Sequence, residues 1–301
     1  MNTTENEPQE DIASIDSLPR VEGFWDENVC GAHFVDTEFR DRHQFTPEFY
    51  AAYRDFRYRK EHHLNNVIDW ESAKGKSVLE VGLGLGADAS RWASHADKFT
   101  GLDLTVEAVT ATRRHFEILG LKGDIRQGNA ERLPFEDNTF DLISSHGVLH
   151  HTEDIRKAMR EIHRVLKPQG TFIVMLYTKN SFNYWIRIQG LFRFLFLIQR
   201  MKSRHGMHVK EPWASHLCNA KEDDQYFTWS GWPHHCTDGP DCRIANIYTW
   251  KQIKKILSEA GFQVERGAKT HFPIGLTPGI EQPLARLIGF YQFAWCKKHA
   301  Q

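Results

Sequence analysis

The chain has 301 residues, enough to bury the core of one α/β domain with embellishments. Its 38 basic and 39 acidic side chains nearly cancel, so no global field marks it as a nucleic-acid binder, and no nucleic-acid partner is expected. Five cysteines, odd in number and unevenly placed, argue against a disulfide framework and point to a reducing, cytoplasmic setting.

Residues 1–20 are acidic and lack the basic start and apolar core of a secretory signal, which predicts a disordered tail. The stretch "FWDENVCGAHF" (24–34) has no assignable role, and Cys30 reads as inert because no basic cluster adjoins it. "PEFYAAYRDFRYRKEHHLNNVI" (47–68) reads as a helix carrying aromatic residues. From 76 to 177, short apolar runs alternate with amphipathic stretches, the signature of β-α-β units around a parallel sheet. Strands are expected at "KSVLEVG", "KFTGLDL", "DIRQGN", "FDLISS" and "TFIVMLY". Helices are expected at "ADASRWASHA", at "TVEAVTATRRHFEILG" closed by Gly120, and at "EDIRKAMREIHRVLKPQG" with Pro168 and Gly170 as stop signals. The alternation breaks after Tyr177 for roughly seventy residues, too long for a passive loop. It resumes with a helix, a glycine turn and a strand in "YTWKQIKKILSEAGFQVERGA", and the closing "GFYQFAWCKK" fits an antiparallel partner for "FQVERGAKTHF".

The most informative stretch is "VLEVGLGLGADASRWA" (78–93), in which Gly82, Gly84 and Gly86 follow a strand and precede a helix. Glycine lets the main chain approach a ligand without an intervening Cβ, and a strand-loop-helix turn at the carboxyl edge of a parallel sheet is where such folds bind ligands. Taken alone, the loop also satisfies the dinucleotide fingerprint through Gly82, Gly84 and Ala87, and Asp103 suits ribose hydroxyls in either case.

The whole succession is Glu80 to Gly86, then "GLDLT" (101–105), then "GNAERLPFEDNTFDLISSHGVLHHTED" (128–154), then "RVLKPQGTFIVM" (164–175). It resembles the class I S-adenosylmethionine-dependent methyltransferases, specifically the small-molecule, ubiquinone/menaquinone methyltransferase-like (type 11) group. The resemblance implies a Rossmann-like, doubly wound α/β sheet of seven strands in the order 3-2-1-4-5-7-6. It also implies a helical N-terminal lid at 21–75 and a methyltransferase domain at 76–301, with a cap inserted at about 178–246. The aromatic residues Phe45, Phe49, Tyr50, Tyr53, Phe56 and Tyr58 then belong either to that lid or to ordinary core.

The cofactor implied is S-adenosylmethionine. Glu80, Gly82, Gly84 and Gly86 would follow its methionine part, Asp103 its ribose, and Leu104, Asn129 and Ala130 its adenine, while Ser145 and His146 would border the methionine end. The group commonly has Asp where this chain has Asn129, which weakens that bond without changing the cofactor. The missing phosphate agrees with Glu80, because an acid sits better beside an ammonium and a sulfonium than beside a pyrophosphate. His150 and His151 stand just past the fourth strand and are the expected catalytic bases for a protonated acceptor, although a histidine there also suits ordering of the loop.

Residues 181–210 hold six basic residues, no acidic one and a broad apolar body. On a helical wheel Gln189, Arg193, Arg200 and Arg204 fall in a stripe roughly 60° wide, with apolar residues over the rest. Three coverings are open: packing over the carboxyl edge as an acceptor cap, peripheral membrane contact through 181–204, or a subunit interface. Tyr177 and Trp185 would border the acceptor. "HHCTDGP" reads as a turn presenting His234 or His235 to the substrate, and the absence of a C-x2-4-C pair leaves no metal expected. The expectation is methyl transfer to a small, hydrophobic or aromatic acceptor, with oxygen the first guess. The alternatives are a lipid-like acceptor at a membrane surface, or a nicotinamide-dependent oxidoreductase using the same loop. The oligomeric state stays open.

Overall fold

The computed structural model describes residues 18–27, 45–273 and 278–298. Cys30 and most of the expected tail lie outside them. The first described helix, α1 (Leu18–Glu27), begins inside the stretch expected to be tail. It is followed by α2 (Pro47–Lys60), then by the alternation read from the sequence: β1 (Ser77–Val81), α3 (Ala87–His95), β2 (Lys98–Asp103), α4 (Val106–Leu119), β3 (Asp124–Gln127), β4 (Phe140–His146), α5 (Ile155–Val165) and β5 (Leu166–Tyr177). A π-helical segment, Asn183–Phe192, then runs directly into α6 (Arg193–Arg204), and α7 (Trp213–Glu222) follows. The chain closes with α8 (Trp250–Glu259), β6 (Phe262–Thr270), α9 (Pro278–Ile288) and β7 (Tyr291–Lys298).

The strands form one sheet in the order β3-β2-β1-β4-β5-β7-β6, as expected. β1 to β5 pair in parallel, and β7 enters antiparallel between β5 and β6. Each crossover helix has a local reason to start and to face the sheet. In α4, Thr105 accepts the Ala108 amide and Gly120 closes the helix in the left-handed region at φ 63°. In α5, Asp154 caps the Lys157 amide, and Ile155, Ala158, Met159, Ile162 and Val165 form a fully buried stripe at helical spacing. A capping box of Thr249 and Gln252 starts α8.

Two boundaries differ from the sequence reading. The third helix stops at Val165, and Leu166 is already paired with Phe140 in the sheet. Pro168 disfavours helix in the residue before it, and Gln169, at φ 62°, lies where the register slips before Leu142 meets Thr171. The long N-terminal helix stops at Lys60, with a separate turn at Leu64–Val67. Phe49, Tyr50 and Tyr53 are buried against Leu85, Ala87, Ala108 and Ala111, which makes much of that aromatic row core.

Candidate active site

The loop after β1 explains its three glycines. Gly82, Gly84 and Gly86 have φ of 86°, 52° and 77°, all in the left-handed region that side chains disfavour. At Gly82 the backbone also presses against a neighbour: a Cβ there would stand 2.0 Å from Val148 Cγ2. Asp103, at the end of β2, holds this loop. Its Oδ2 accepts from the Leu83 amide at 2.6 Å and the Gly84 amide at 3.3 Å, while Oδ1 accepts from the amide and hydroxyl of Thr105, each at 3.0 Å. A carboxylate offers about four lone-pair sites, so its first task is to shape the loop, and the ribose contact expected of it must share those oxygens. Burial outweighs these bonds and pushes the Asp103 carboxyl above the ordinary range.

The loop lines a cleft of about 1290 Å³, open mouth included. Glu80, Gly82, Gly84, Asp103, Leu104, Asn129, Ala130 and His146 all line it, so most of the expected cofactor residues converge. Gly86 and Ser145 do not line it. Gly86 caps α3, and the Ser145 hydroxyl ties β4 to β1 by donating to the Val81 carbonyl at 3.0 Å. Asn129 lines the cleft, but its side-chain oxygen already accepts the Glu131 amide at 2.8 Å. Its amide NH2 and the second lone pair of its oxygen remain for a ligand.

A charged cluster in the cleft joins the N-terminal helix to the sheet. Arg57, on α2, forks onto Asp88, with Nε 3.0 Å from Oδ1 and a second contact from Nη2 to Oδ2. His146 Nδ1 lies 3.2 Å from Asp88 Oδ2, its Nε2 lies 3.6 Å from Glu61 Oε2, and the Tyr58 hydroxyl donates to Asp88 Oδ1 at 3.0 Å. Burial opposes ionisation of Asp88, but the Arg57 guanidinium overrides it and holds the carboxyl well below the usual range. Glu80 is the opposite case. Buried with Oε2 lacking a partner, and facing the fields of Asp88 and Asp103, it is pushed well above the carboxylate range.

Among the described residues, seven carboxyl side chains line the cleft (Glu61, Glu80, Asp88, Asp103, Glu131, Glu153, Asp238) against one guanidinium, Arg57. Asp88 sits in the first turn of α3, where a dinucleotide would place its pyrophosphate. These residues suit a cationic ligand and oppose a pyrophosphate.

Trp25, His151, Tyr177 and Asp238 also line the cleft. His151 is held by donation from Nδ1 to the Ile244 carbonyl at 2.5 Å, which leaves Nε2 as the lone-pair nitrogen, 3.8 Å from Asp238 Oδ2. The other oxygen of Asp238 accepts from the Tyr177 hydroxyl at 3.2 Å, and the Trp25 ring packs edge-on against His151 at 4.8 Å. Burial lowers the His151 pKa below its ordinary value, partly countered by Asp238 and the Ile244 carbonyl. Cys242 Sγ completes a trio with His151 Nε2 and Asp238 Oδ2 within 4.8 Å of one another, a set able in principle to hold a metal ion. The thiol is pushed up by burial and donates toward the Ile244 carbonyl at 3.6 Å, so its own bonding favours the neutral form.

Four further expected residues lie away from the cleft lining. His150 is fully buried, with its ring 3.9 Å from the Tyr177 ring and neither nitrogen partnered, and burial lowers its pKa far below that of a useful base. His234 accepts the Ala245 amide at 2.9 Å on Nδ1, and His235 stacks on Tyr226 at 3.9 Å. Both serve the cap, whereas Asp238, in the same turn, reaches the cleft. Trp185 is 55% exposed on the outer face. Sequence reading missed Asp238, Arg57 and Trp25. Asp238 carried a signal in its Asp-Gly-Pro turn; Arg57 and Trp25 carried none, because only the folded path of the N-terminal helices brings them to the sheet.

The sheet order with an antiparallel β7, the glycine loop after β1 and the acid at the end of β2 make up a Rossmann-like α/β fold that solved methyltransferases share. A likeness to a solved S-adenosylmethionine-dependent methyltransferase from Methanosarcina mazei extends over 79% of this chain and 97% of that one, with a TM-score of 0.53 at 17% identity. A similar match, at a TM-score of 0.50 and 15% identity, is to an S-adenosylmethionine-dependent methyltransferase from Mesorhizobium loti, covering 78% of this chain and 96% of that one. Residues 79–174 match the family described as "Methyltransferase domain". The methyltransferase YcgJ of Bacillus subtilis is 37% identical over 99 residues, which are 33% of this chain and 39% of that protein. The ubiquinone/menaquinone biosynthesis C-methyltransferase UbiE of Cronobacter sakazakii is 35% identical over 114 residues, 36% of this chain and 45% of that protein. The chain thus spans less than half the length of the curated relatives it matches.

Proposed function

We propose that this protein transfers the methyl group of S-adenosylmethionine to a small, apolar acceptor whose reacting atom carries a proton, with a hydroxyl oxygen favoured. The carrying observation is the acid-rich cleft built on the glycine loop, with Glu80 buried and one oxygen unpartnered. A sulfonium and an ammonium supply the missing positive charge, and Arg57 is the group suited to the ligand's carboxylate. Leu104, Asn129 and Ala130 serve the adenine.

The cofactor, when bound, supplies an activated methyl carbon on a positively charged sulfur. The chain's own residues align the acceptor and exclude water, since an in-line displacement gains most from orientation. Trp25 and Tyr177 supply the apolar wall. The glycine loop, Arg57 and Asp103 would hold the cofactor, which would give its methyl group to the acceptor oxygen and leave as the neutral thioether. The hydroxyl proton passes to His151 Nε2, and Asp238, steadied by Tyr177, stabilises the imidazolium that results. Asp238 is placed as a positioning residue for His151.

The test is incubation with methyl-labelled cofactor and a panel of phenolic, enolic and aliphatic hydroxyl compounds, followed by mass identification of labelled product. Transfer to oxygen of an apolar acceptor is expected. Transfer confined to carbon or nitrogen would correct the atom assigned, and absence of cofactor binding would remove the function.

A further inference from the structure

Gln189 and Arg193, which share the polar stripe of the helical wheel with Arg200 and Arg204, point inward in the π-helical segment and α6. Arg193 donates to Gln189 Oε1 at 2.7 Å and to the Phe227 carbonyl at 3.0 Å, while Gln189 donates to the Trp229 carbonyl at 3.0 Å. Tyr184, Ile188 and Phe196 are buried beside them, and the Trp232 indole donates to the Ile188 carbonyl at 2.9 Å. The π winding breaks the 3.6-residue register, so apolar residues emerge outside. Ile186, Leu191, Phe194, Leu197 and Met201 step by five residues in the π segment and then by three or four, tracing one exposed face with Trp185 beside it. Phe194 is 61% and Met201 60% exposed. The face continues across Lys269, whose Nζ donates at 2.9 Å to both the Asn180 and the Leu287 carbonyls and so fixes exposed Leu287 of α9 next to the start of this segment.

This is a larger apolar face than scattered surface residues produce, and its charge is one-sided. Residues 178–210 contain no Asp or Glu, and Arg200, Lys202 and Arg204 are exposed at its carboxyl end. A second copy presenting the same face would offer those cations no acidic partner within residues 178–210. An anionic lipid surface satisfies both features, taking the apolar side chains into the acyl boundary and the basic ones at the headgroups. Among the described residues no helix is long and apolar enough to cross a membrane. We infer that the outer face of Asn183–Arg204 docks in the plane of an anionic membrane.

The assignment is independent of the methyl acceptor and is tested on the full chain by co-sedimentation with two kinds of vesicle, phosphatidylcholine alone and phosphatidylcholine mixed with phosphatidylglycerol. Binding to the mixed vesicles is expected, weakened at least tenfold in Phe194→Ser/Leu197→Ser and in Arg200→Glu/Arg204→Glu, since each basic residue near such a surface contributes roughly fivefold. Both variants should keep wild-type heats of S-adenosylhomocysteine binding, which separates loss of docking from misfolding and from failure of the cofactor assignment. Equal sedimentation with neutral vesicles, no binding to anionic ones, or binding untouched by either pair of substitutions would overturn the inference. So would a stable dimer in light scattering that Phe194→Ser/Leu197→Ser dissolves.

Discussion

In the proposed transfer, His151 is the residue on which the chemistry turns. With Nδ1–H committed to the Ile244 carbonyl, its Nε2 is fixed as the proton acceptor, and a pKa lowered by burial keeps that nitrogen unprotonated through the neutral range. Turnover should therefore persist at pH values just below 6.5 and decline only as pH falls further through the lowered pKa; an acid limb above pH 7.5 would contradict this. His151→Ala should reduce kcat by about 10²- to 10⁴-fold while leaving cofactor affinity unchanged. His150→Ala should act only through stability, because no ring nitrogen of His150 reaches the cleft.

Glu80 allows a second measurement at this scale. Burial raises the pKa of its carboxyl and a bound cation favours ionisation, so binding should release a proton and tighten as pH rises. Calorimetry in buffers of different ionisation enthalpy reads that proton directly. Glu80→Gln should abolish the release and weaken binding by tenfold or more, in line with a charge-assisted bond of about 1.5 to 3 kcal/mol. The sign for stability is the reverse. A carboxyl whose folded pKa is raised favours the folded state below its unfolded pKa, and this is lost as pH rises through the folded value, so the glutamine should not destabilise the ligand-free protein at neutral pH.

Among the elements, the parallel core was legible because local signals and burial agree: strand runs, Thr105 and Asp154 caps, and the α5 stripe all specify one arrangement. The insertion was only partly legible. A wheel drawn at a fixed 3.6 residues per turn cannot foresee a π segment, nor that Arg193 points inward while Phe194 is exposed. Residues gathered from distant elements were the least legible, as with Arg57 meeting Asp88 and Asp238 meeting His151, because no spacing in the sequence encodes those encounters. The glycines can be separated by experiment. Gly120→Ala, at φ 63° with open space around it, should lose about 1 to 2 kcal/mol, the backbone cost alone. Gly82→Ala adds the collision with Val148 and should lose more than that, together with cofactor binding. Thermal melts with and without S-adenosylhomocysteine distinguish the two.

For the whole molecule, the cleft unites three parts of the chain: α2 brings Arg57, the sheet brings the loop and His151, and the insertion returns Asp238. Ligand binding should consequently stabilise the protein as a unit, by about 2.7 kcal/mol at a hundredfold excess over Kd, seen as a rise of several degrees in Tm. The most direct test of the acid-lined cleft is a calorimetric titration of the full chain with S-adenosylmethionine and, separately, with NAD. Saturable heat with S-adenosylmethionine, absent with NAD and lost in Arg57→Ala, is the predicted result. Saturable heat with NAD and none with S-adenosylmethionine would contradict it.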